Sequence, residues 1–378
     1  MSLQWIEVDA RALAANMEAF RALLADGVTL APVVKSNGYG HGLEIAARAF
    51  ADAGADWLCV HSGEEAERLQ ALGLKKQVLQ LGPVDAEWAE FALREGIHLT
   101  VSEPERLELL LAVAKAVGEI AHVHAKVETG TWRQGADSSR LRRMLEMIKA
   151  SDHAQLAGMH SHFANIEDTT RHEFANAQFE RFGVLLREAQ ETLGRPGHRH
   201  FASSAAMLLF PHTHMDLVRP GIASYGYWPS RETLVSARSS GADEIRLSPA
   251  LTWKSVITEI KPVEQGSFIG YGCTDKVESR TRLAILPVGY ADGYRRSMSG
   301  RAHVLIRGRR CQVRGRVCMN LIMVDVGHVD GVSVGDEAVL IGRQGEEEIS
   351  AEALADWSQT LHYEVLAGLN PEIERRLA

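Results

Sequence analysis

The chain has 378 residues, which is too long for one small domain and favours two. Apolar residues make up 46% of it and charged residues 24%, the balance of a soluble globular protein. The formal net charge is −8 and Lys and Arg form no long run, which argues against nucleic acid or an anionic membrane as a general partner. No stretch approaches the ~20 apolar residues that a membrane span needs.

The N-terminal segment, residues 1–9, has no basic region and does not resemble a signal peptide. The four cysteines are scattered, with no CxxC pair and no histidine at zinc spacing. We therefore expect reduced, mainly structural thiols in a cytoplasmic protein, and no metal site. The cysteines are Cys59, Cys273, Cys311 and Cys318.

Over about the first 225 residues, short apolar runs alternate with amphipathic stretches of helical length. This alternation predicts parallel βαβ units, and eight apolar runs without a domain break predict a closed (β/α)8 barrel, the TIM barrel. The predicted strands are Leu30–Lys35, Trp57–Val60, Val78–Gly82, His98–Val101, Ala121–Glu128, Leu156–Phe163, His198–Ser203 and Met215–Gly221. The clearest helical patterns are Leu43–Ala53, Glu64–Leu72, Pro104–Val117 and Phe174–Leu193.

The pattern then changes. Segment 229–248 is polar and predicts little helix, and strands with Gly-rich turns follow from Leu251. Only Ala351–Gln359 has a helical pattern there, with Ser350 as its N-cap. The predicted fold is therefore α/β, a (β/α)8 barrel over residues 1–235 and a mostly antiparallel β domain over residues 236–378. The predicted strands of the second domain are Thr252–Ile260, Arg282–Val288, His303–Ile306, Cys311–Val317, Leu321–Val326 and Ala338–Ile341.

Lys35 closes the first predicted strand, at the barrel face where active sites of this fold lie. A lysine is costly to bury unless it is paired or chemically used. An imine with a carbonyl cofactor would remove its charge. A lysine whose ammonium extends to water at the rim is an equal alternative from this segment alone.

The segments after strands seven and eight, Phe201–Ala205 and Val218–Ile222, lie where many barrels bind phosphate. Serine hydroxyls, backbone N–H groups near glycine and a helix start can together bind an anion. The two serines could instead only cap a helix.

The string VVKSNGYGHG, residues 33–42, resembles the cofactor-lysine motif of the alanine racemase family. Further matches run from the N-terminal segment to Tyr363, so the resemblance covers nearly the whole chain. It implies a racemase that depends on pyridoxal 5′-phosphate, with a (β/α)8 barrel followed by a β domain. In that family the lysine matched by Lys35 holds the cofactor as a Schiff base, and the tyrosine matched by Tyr39 contacts its phosphate.

The resemblance also implies further cofactor contacts. Arg219 would face the pyridine nitrogen. Because an arginine does not give up its proton, that nitrogen would stay neutral, and the weaker electron sink would favour racemisation over transamination. A rim arginine in an ion pair is the alternative. The implied phosphate contacts are Ser204, the amides of Gly221 and Ile222, Tyr39 and Tyr363.

Racemisation inverts one carbon, so the simplest design has one proton donor–acceptor on each face. Lys35 would serve one face, and Tyr271 resembles the second base of the family. His162 matches the residue that would hydrogen-bond this tyrosine and link it to Arg219. Taken alone, a tyrosine in a Gly-rich turn is usually structural and His162 would be an ordinary core histidine.

The resemblance implies a homodimer, since Tyr271 would reach the barrel of the partner subunit and form composite active sites. Met319 matches the residue whose backbone N–H holds the carboxylate of a small amino-acid substrate, again from the partner. Tyr290 and Arg296 match residues that line the entry corridor.

Arg133 is the implied partner of the cofactor phenolate and the substrate carboxylate, which suits a planar guanidinium. Lys126 lies on the same strand, where two cations would repel each other. Family members commonly carbamylate this lysine, and we expect a carbamylated Lys126. An unmodified lysine paired with a carboxylate or a bound anion is the alternative.

Two positions depart from the family pattern and leave the substrate preference open. Trp132 replaces a small residue, and Asn320 replaces an acidic one. The leading hypothesis is interconversion of L- and D-alanine, which supplies peptidoglycan precursors. The alternatives are racemisation of serine or a broader set of amino acids, a decarboxylase of the same fold, and a non-enzymatic pyridoxal-phosphate carrier. The motifs of a decarboxylase are absent from the sequence, and such carriers resemble the barrel alone.

Overall fold

The structure, a computed structural model, describes residues 2–168, 171–239 and 245–378. The chain folds into two compact units. The barrel unit comprises Arg11–Ser36 and Ala46–Pro249, and the β unit comprises Met1–Ala10, Asn37–Ile45 and Ala250–Ala378. The predicted division between residues 235 and 236 stays a prediction.

Short strands alternate with helices through the first part of the chain, and strands dominate from Leu251 onward. The strands are β1 (Gln4–Val8), β2 (Thr29–Leu30), β3 (Trp57–Val60), β4 (Gln77–Gln80), β5 (His98–Val101), β6 (Ala121–Lys126), β7 (Ala154–His160), β8 (His198–His200), β9 (Leu217–Val218), β10 (Leu251–Val256), β11 (Glu259–Val263), β12 (Phe268–Ile269), β13 (Asp275–Lys276), β14 (Thr281–Leu286), β15 (His303–Ile306), β16 (Arg309–Arg314), β17 (Ile322–Asp325), β18 (Glu337–Gln344), β19 (Glu347–Ile349) and β20 (Arg375–Leu377).

The helices surround the strands of the first part and are few in the second. They are α1 (Ala10–Leu23), α2 (Lys35–Tyr39), α3 (Leu43–Asp52), α4 (Gly63–Gln70), α5 (Ala86–Arg94), α6 (Pro104–Val117), α7 (Ser138–Lys149), α8 (Glu173–Leu193), α9 (Ser204–Leu209), α10 (Arg231–Ser239), α11 (Ala351–Ser358) and α12 (His362–Ala367). None of the helices in the described ranges is long and apolar enough to cross a bilayer.

The strands of the barrel unit close into a ring. Strands β3 to β8 form a six-stranded parallel sheet, and β2 pairs in parallel with β9. A parallel bridge between Val33 and Cys59 joins the extension of β2 to β3. The Asp216 N–H donates to the Arg199 carbonyl at 3.0 Å and joins β9 to β8. The prediction of a (β/α)8 barrel is confirmed.

The barrel helices form where an N-cap precedes apolar residues at helical spacing. In α7 the Asp137 carboxylate accepts from the Arg140 N–H at 2.9 Å. The helix buries one stripe of side chains, Leu141, Met144, Leu145 and Ile148. The polar residues between them stay outside, so the stripe attaches α7 to the sheet.

The β unit is built on a mixed sheet in the order β11-β14-β17-β16-β15-β18-β10-β1-β20, and β19 pairs with β18. All of its strand pairs are antiparallel except β1 with β20, which confirms the predicted, mostly antiparallel domain. Strand β1 pairs with β10, with Ile6 opposite Trp253. The beginning of the chain therefore belongs to this unit.

Two predictions about helix content were wrong. Segment 229–248 was expected to hold little helix, but α10 forms at Arg231–Ser239, because Ser230 Oγ accepts from the Thr233 N–H and Thr233 and Ala237 are buried. Residues 240–244 of that segment lie outside the described residues. In the β unit α12 follows α11, so the prediction of a single helix there was wrong. The six residues of α12 are too few to show a helical period in the sequence.

Candidate active site

Lys35 begins an unusual turn after the first barrel strand. The backbone of Ser36, Asn37 and Tyr39 is left-handed, with φ of 53°, 53° and 51°. This conformation is strained for residues other than glycine, and such strain concentrates at functional sites. The strand predicted at Leu30–Lys35 is shorter in the structure, because β2 ends at Leu30 with one further bridge at Val33, and Lys35 lies at the start of α2.

Glu65 holds the turn, a role that was not predicted from the sequence. One carboxylate oxygen accepts from the Ser36 N–H at 2.6 Å and the other from the His61 N–H at 2.7 Å. The available signal was the Ser62-x-x-Glu65 spacing, which is typical of a helix N-terminus. Ser62 caps α4, and the carboxylate that this places at the barrel rim fixes the backbone next to Lys35.

The Lys35 amine lies in a positive environment. Burial lowers its pKa below the ordinary lysine value, and Arg133 and Arg219 lower it further, while Glu65 partly raises it. Within the described ranges, no carboxylate forms an ion pair with Lys35. A lowered pKa increases the fraction of neutral amine, which is the nucleophilic form. This environment favours imine chemistry over a solvated ammonium.

Arg219 directly follows β9 and is buried, with 7% of its surface exposed. Its Nη2 donates to the Ser161 carbonyl at 2.8 Å, and its buried Nε has no hydrogen-bond partner among the described residues. Burial lowers the pKa of Arg219 to about 10, so the group stays charged near neutral pH. A rim arginine in an ion pair does not fit this burial. The free Nε is a donor without an acceptor, which fits the ring nitrogen of a cofactor.

Lys126 ends β6 and is also buried. Its Nζ donates to Gln134 Oε1 at 2.9 Å. Burial, with Arg219, Arg133 and Lys35, lowers its pKa to about 7. About half of this lysine is therefore a neutral amine near pH 7, and only the neutral form can react with carbon dioxide.

Arg133 lies on a tight loop whose two ends pair with each other. The Ala136 N–H donates to the Lys126 carbonyl at 2.8 Å, and a parallel bridge joins Val127 to Ala136. At the loop tip, Trp132 is left-handed with φ of 52° and is 88% exposed. The loop thereby holds Arg133 at the barrel rim, at the end of the strand that carries Lys126.

His162 and Arg133 line one open cleft at the rim, together with Ser203. Burial holds the pKa of His162 well below its ordinary value, and Arg219, Arg133, Lys126 and Lys35 lower it further. The imidazole is therefore neutral, so it can accept one hydrogen bond and donate another. This suits the predicted link between a tyrosine and Arg219, which stays a prediction.

Ser204, the first residue of α9, brings the loops after β8 and β9 together. Its Oγ accepts from the Gly221 N–H at 2.8 Å and from the Ala223 N–H at 3.3 Å. With both acceptor positions used, its hydroxyl proton is left to donate to an anion. The Ile222 N–H has no hydrogen-bond partner among the described residues. These donors fit the predicted phosphate site. The Gly221 N–H, however, donates to Ser204 instead.

The β unit brings four other predicted residues close together. The Tyr290 N–H donates to the Cys318 carbonyl at 3.0 Å, so its loop lies against the loop of Met319. Arg296 Nη1 donates to the Val317 carbonyl at 2.7 Å. Tyr271 lies near this group, since a Cβ on its neighbour Gly270 would lie 3.4 Å from the backbone nitrogen of Arg316.

Several members of this group face solvent in the single chain. Tyr271 is 66% exposed and Met319 is 55% exposed. The Met319 N–H has no hydrogen-bond partner in the described part of the chain, which leaves it available to a carboxylate. Exposed large apolar side chains beside an unpaired donor are typical of an interaction surface.

Tyr39 and Tyr363 lie on neighbouring segments of the β unit. A Cβ on Gly40 would lie 2.0 Å from the Leu366 carbonyl oxygen, so only glycine lets this segment approach α12, which carries Tyr363. Arg375 Nε also donates to the Gly40 carbonyl at 3.1 Å. The proposed contact of both tyrosines with phosphate stays a prediction.

A parallel barrel with a lysine of lowered pKa after its first strand, a buried arginine with a free Nε after its last and a following β unit is typical of isomerases of the amino-acid racemase class. The chain belongs to the alanine racemase family. Residues 8–229 match the N-terminal domain of that family and residues 250–377 match its C-terminal domain.

Relatives and solved structures agree with this assignment. The alanine racemase of Symbiobacterium thermophilum is 41% identical over 371 residues, 98% of this chain and 96% of that protein. The alanine racemase of Leptospira interrogans is 35% identical over 373 residues, 98% of this chain and 95% of that protein. The crystal structure of alanine racemase from Bacillus anthracis with bound L-Ala-P has a TM-score of 0.93 at 30% identity, over 100% of this chain and 95% of that one.

Proposed function

We propose that this protein interconverts L- and D-alanine with pyridoxal 5′-phosphate as its cofactor. One observation carries the proposal: Lys35, with its lowered pKa, and the buried Arg219, with its unpaired Nε, share a positive barrel end. An aldehyde cofactor with an anionic phosphate fits this site. Its aldehyde would pair with the Lys35 amine, its neutral ring nitrogen with Arg219, and its phosphate with the hydroxyl of Ser204. When bound, such a group withdraws electrons from Cα and makes its hydrogen acidic.

In this proposal Lys35 has two tasks and each of the other residues has one. Lys35 holds the cofactor and moves a proton on one face of Cα, and Tyr271 moves a proton on the other. Arg219 donates a hydrogen bond to the ring nitrogen of the cofactor and does not give up its proton to it. Ser204 and the Ile222 amide bind phosphate, and Arg133 with the Met319 amide orients the substrate carboxylate.

We propose that two copies of the chain form a homodimer with composite active sites. The support is the exposed group of Tyr271, Tyr290 and Met319 in the β unit. A second copy that covered this surface would bury apolar area and add the missing proton carrier to each barrel. The corridor into each site would then pass Tyr290 and Arg296.

The proposed setting is the cytoplasm, where D-alanine would supply peptidoglycan precursors. The support is that all four cysteines are free thiols, including the exposed Cys273, which fits a reducing compartment.

The test is formation of D-alanine from L-alanine by the purified protein, followed by chiral chromatography. We expect an equal mixture of enantiomers at equilibrium when pyridoxal phosphate is supplied and no conversion after its removal. Parallel runs with L-serine define the substrate range. Conversion of serine without conversion of alanine, or release of carbon dioxide instead of D-alanine, would contradict the proposal.

A carboxylate in place of Arg219 should change the outcome of the reaction. In Arg219→Glu the new side chain can share a proton with the ring nitrogen, so we expect racemisation to fall about 100-fold. The ratio of pyruvate to D-alanine should rise, because more electron density would reach the ring. Arg219→Lys, which keeps the positive charge, serves as the control. An unchanged ratio in Arg219→Glu would refute the role of Arg219.

Carbamylation of Lys126 should depend on pH. The pKa of about 7 means that the neutral amine is scarce below pH 6 and predominates above pH 8. We expect a carbamate signal in the ¹³C NMR spectrum of enzyme equilibrated with ¹³C-bicarbonate, growing from pH 6 to pH 8. Lys126→Ala should abolish that signal. A spectrum without it at pH 8 would mean that Lys126 is unmodified.

A further inference from the structure

A chain of histidines runs through the barrel interior below the site. His98 Nδ1 lies 2.8 Å from His124 Nε2, and His124 Nδ1 lies 2.8 Å from His200 Nε2. The three rings come from β5, β6 and β8, and all are buried. None of the roles proposed above uses them.

The surrounding residues accommodate this chain. A Cβ on Gly158 would lie 2.4 Å from His124 Nδ1, so a glycine on β7 makes room for the ring. His160 stacks on His200 with ring centroids 4.6 Å apart and an interplanar angle of 5°. Thr100 Oγ1 lies 3.2 Å from His160 Nε2.

The two ends of the chain differ in charge. At the upper end the strand register pairs Lys126 with His160 and His160 with His200. Arg219 also reaches this level, since it donates to the carbonyl of Ser161. At the lower end His98 lines an open cleft with His198. One end therefore meets the buried Arg219 cation and the other meets solvent.

All three imidazoles are neutral. Burial, together with His122 and His198, lowers the pKa of His98 to about 3. Burial and its neighbours hold the pKa values of His124 and His200 well below the ordinary value, and Arg219 contributes to both. A neutral imidazole has one N–H and one lone pair, so the chain has only two possible directions of donation.

The Arg219 cation selects one direction. His200 Nδ1 is buried and has no hydrogen-bond partner among the described residues. A lone pair on this atom is attracted by the charge of Arg219, which acts on His200, whereas an N–H there would be repelled. His200 must then carry its proton on Nε2 and donate to His124, which in turn donates from Nε2 to His98.

We propose that His98, His124 and His200 form a chain of neutral imidazoles, each protonated on Nε2, that directs a lone pair toward the buried Arg219 cation and so positions it. A carboxylate could stabilise this cation as well, but it would bring an acid beneath the ring nitrogen. A chain of neutral dipoles stabilises positive charge without one. The three histidines are positioning residues, and the inference rests on the proposed role of Arg219.

The direct test is ¹⁵N NMR of the holoenzyme labelled in its histidines, since protonated and unprotonated ring nitrogens have well-separated chemical shifts. Signals are assigned by single His→Asn substitutions. We expect His98, His124 and His200 each to show a protonated Nε2 and an unprotonated Nδ1. A protonated Nδ1 on His200, or an imidazolium at any of the three, overturns the proposal.

The functional test uses the end of the chain farthest from the site. In His98→Leu, His124 loses its acceptor, so we expect mixed tautomers at His200 and a loss of about tenfold in kcat with little change in KM. His98→Asn should restore the single tautomer of His200 and the value of kcat, because its amide oxygen can accept the hydrogen bond from His124 in place of Nδ1. His122→Leu is the matched control, since His122 stacks on His98 with centroids 4.8 Å apart but lies outside the hydrogen-bonded chain.

Two results would contradict the proposed coupling between His98 and His200. One is that His98→Leu leaves both the His200 signal and kcat unchanged. The other is that His122→Leu has an effect equal to that of His98→Leu. Failure of His98→Asn to restore either quantity would also contradict it. If wild-type enzyme showed the expected tautomers but no racemisation, the proposed function would fail and the assignment of the chain would stand.

Discussion

Lys35→Ala should lose racemase activity by roughly 10⁴-fold or more, because one residue serves as both cofactor anchor and proton carrier. The purified variant should also lack the visible absorbance of covalently held pyridoxal phosphate. Lys115→Ala, which removes an exposed lysine on α6, should keep both.

Chemical rescue makes this test sharper. A small amine such as methylamine can replace the missing ε-amino group as nucleophile and base. We expect it to restore part of the activity of Lys35→Ala and to leave Lys115→Ala unaffected. Full activity of Lys35→Ala without added amine would show that another lysine holds the cofactor.

Tyr271→Phe should separate the two faces of Cα. Phenylalanine has no ionisable group, so removal of the proton from L-alanine should slow by about 10³-fold. Removal from D-alanine by Lys35 should persist. Because both directions of net racemisation must slow together, the measurement is exchange of the Cα hydrogen with deuterated water, followed for each enantiomer separately.

Tyr290→Phe is the control for this experiment, since Tyr290 is also exposed in the β unit but is assigned to the corridor. It should leave both exchange rates close to those of the wild type. Equal loss of exchange from L- and D-alanine in Tyr271→Phe would make Tyr271 a positioning residue.

The barrel could be predicted because its elements have strong local patterns. Strands β3 and β5 and helix α6 begin and end at the predicted residues, Trp57–Val60, His98–Val101 and Pro104–Val117. Each of these strands is a short apolar run, and α6 begins with a proline and ends before a glycine. Local signals of this kind do not depend on distant parts of the chain.

The features that were missed depend on contacts between distant residues. The left-handed turn after Lys35 is held by Glu65, 29 residues beyond Ser36. The histidines of β6 and β8 alternate in the sequence as ordinary inward-facing residues would. Only the closed barrel shows that His124 Nδ1 lies 2.8 Å from His200 Nε2.

The central claim is that different groups serve the two faces of Cα, and the isotopic content of the product tests it most directly. L-alanine is incubated with wild-type holoenzyme in deuterated water, and the first D-alanine formed is analysed by mass spectrometry. With Tyr271 removing the proton and Lys35 returning another, the D-alanine should carry deuterium at Cα while unreacted L-alanine keeps its hydrogen. Early D-alanine that retains the original hydrogen would mean that one group serves both faces, and would contradict the two-base account.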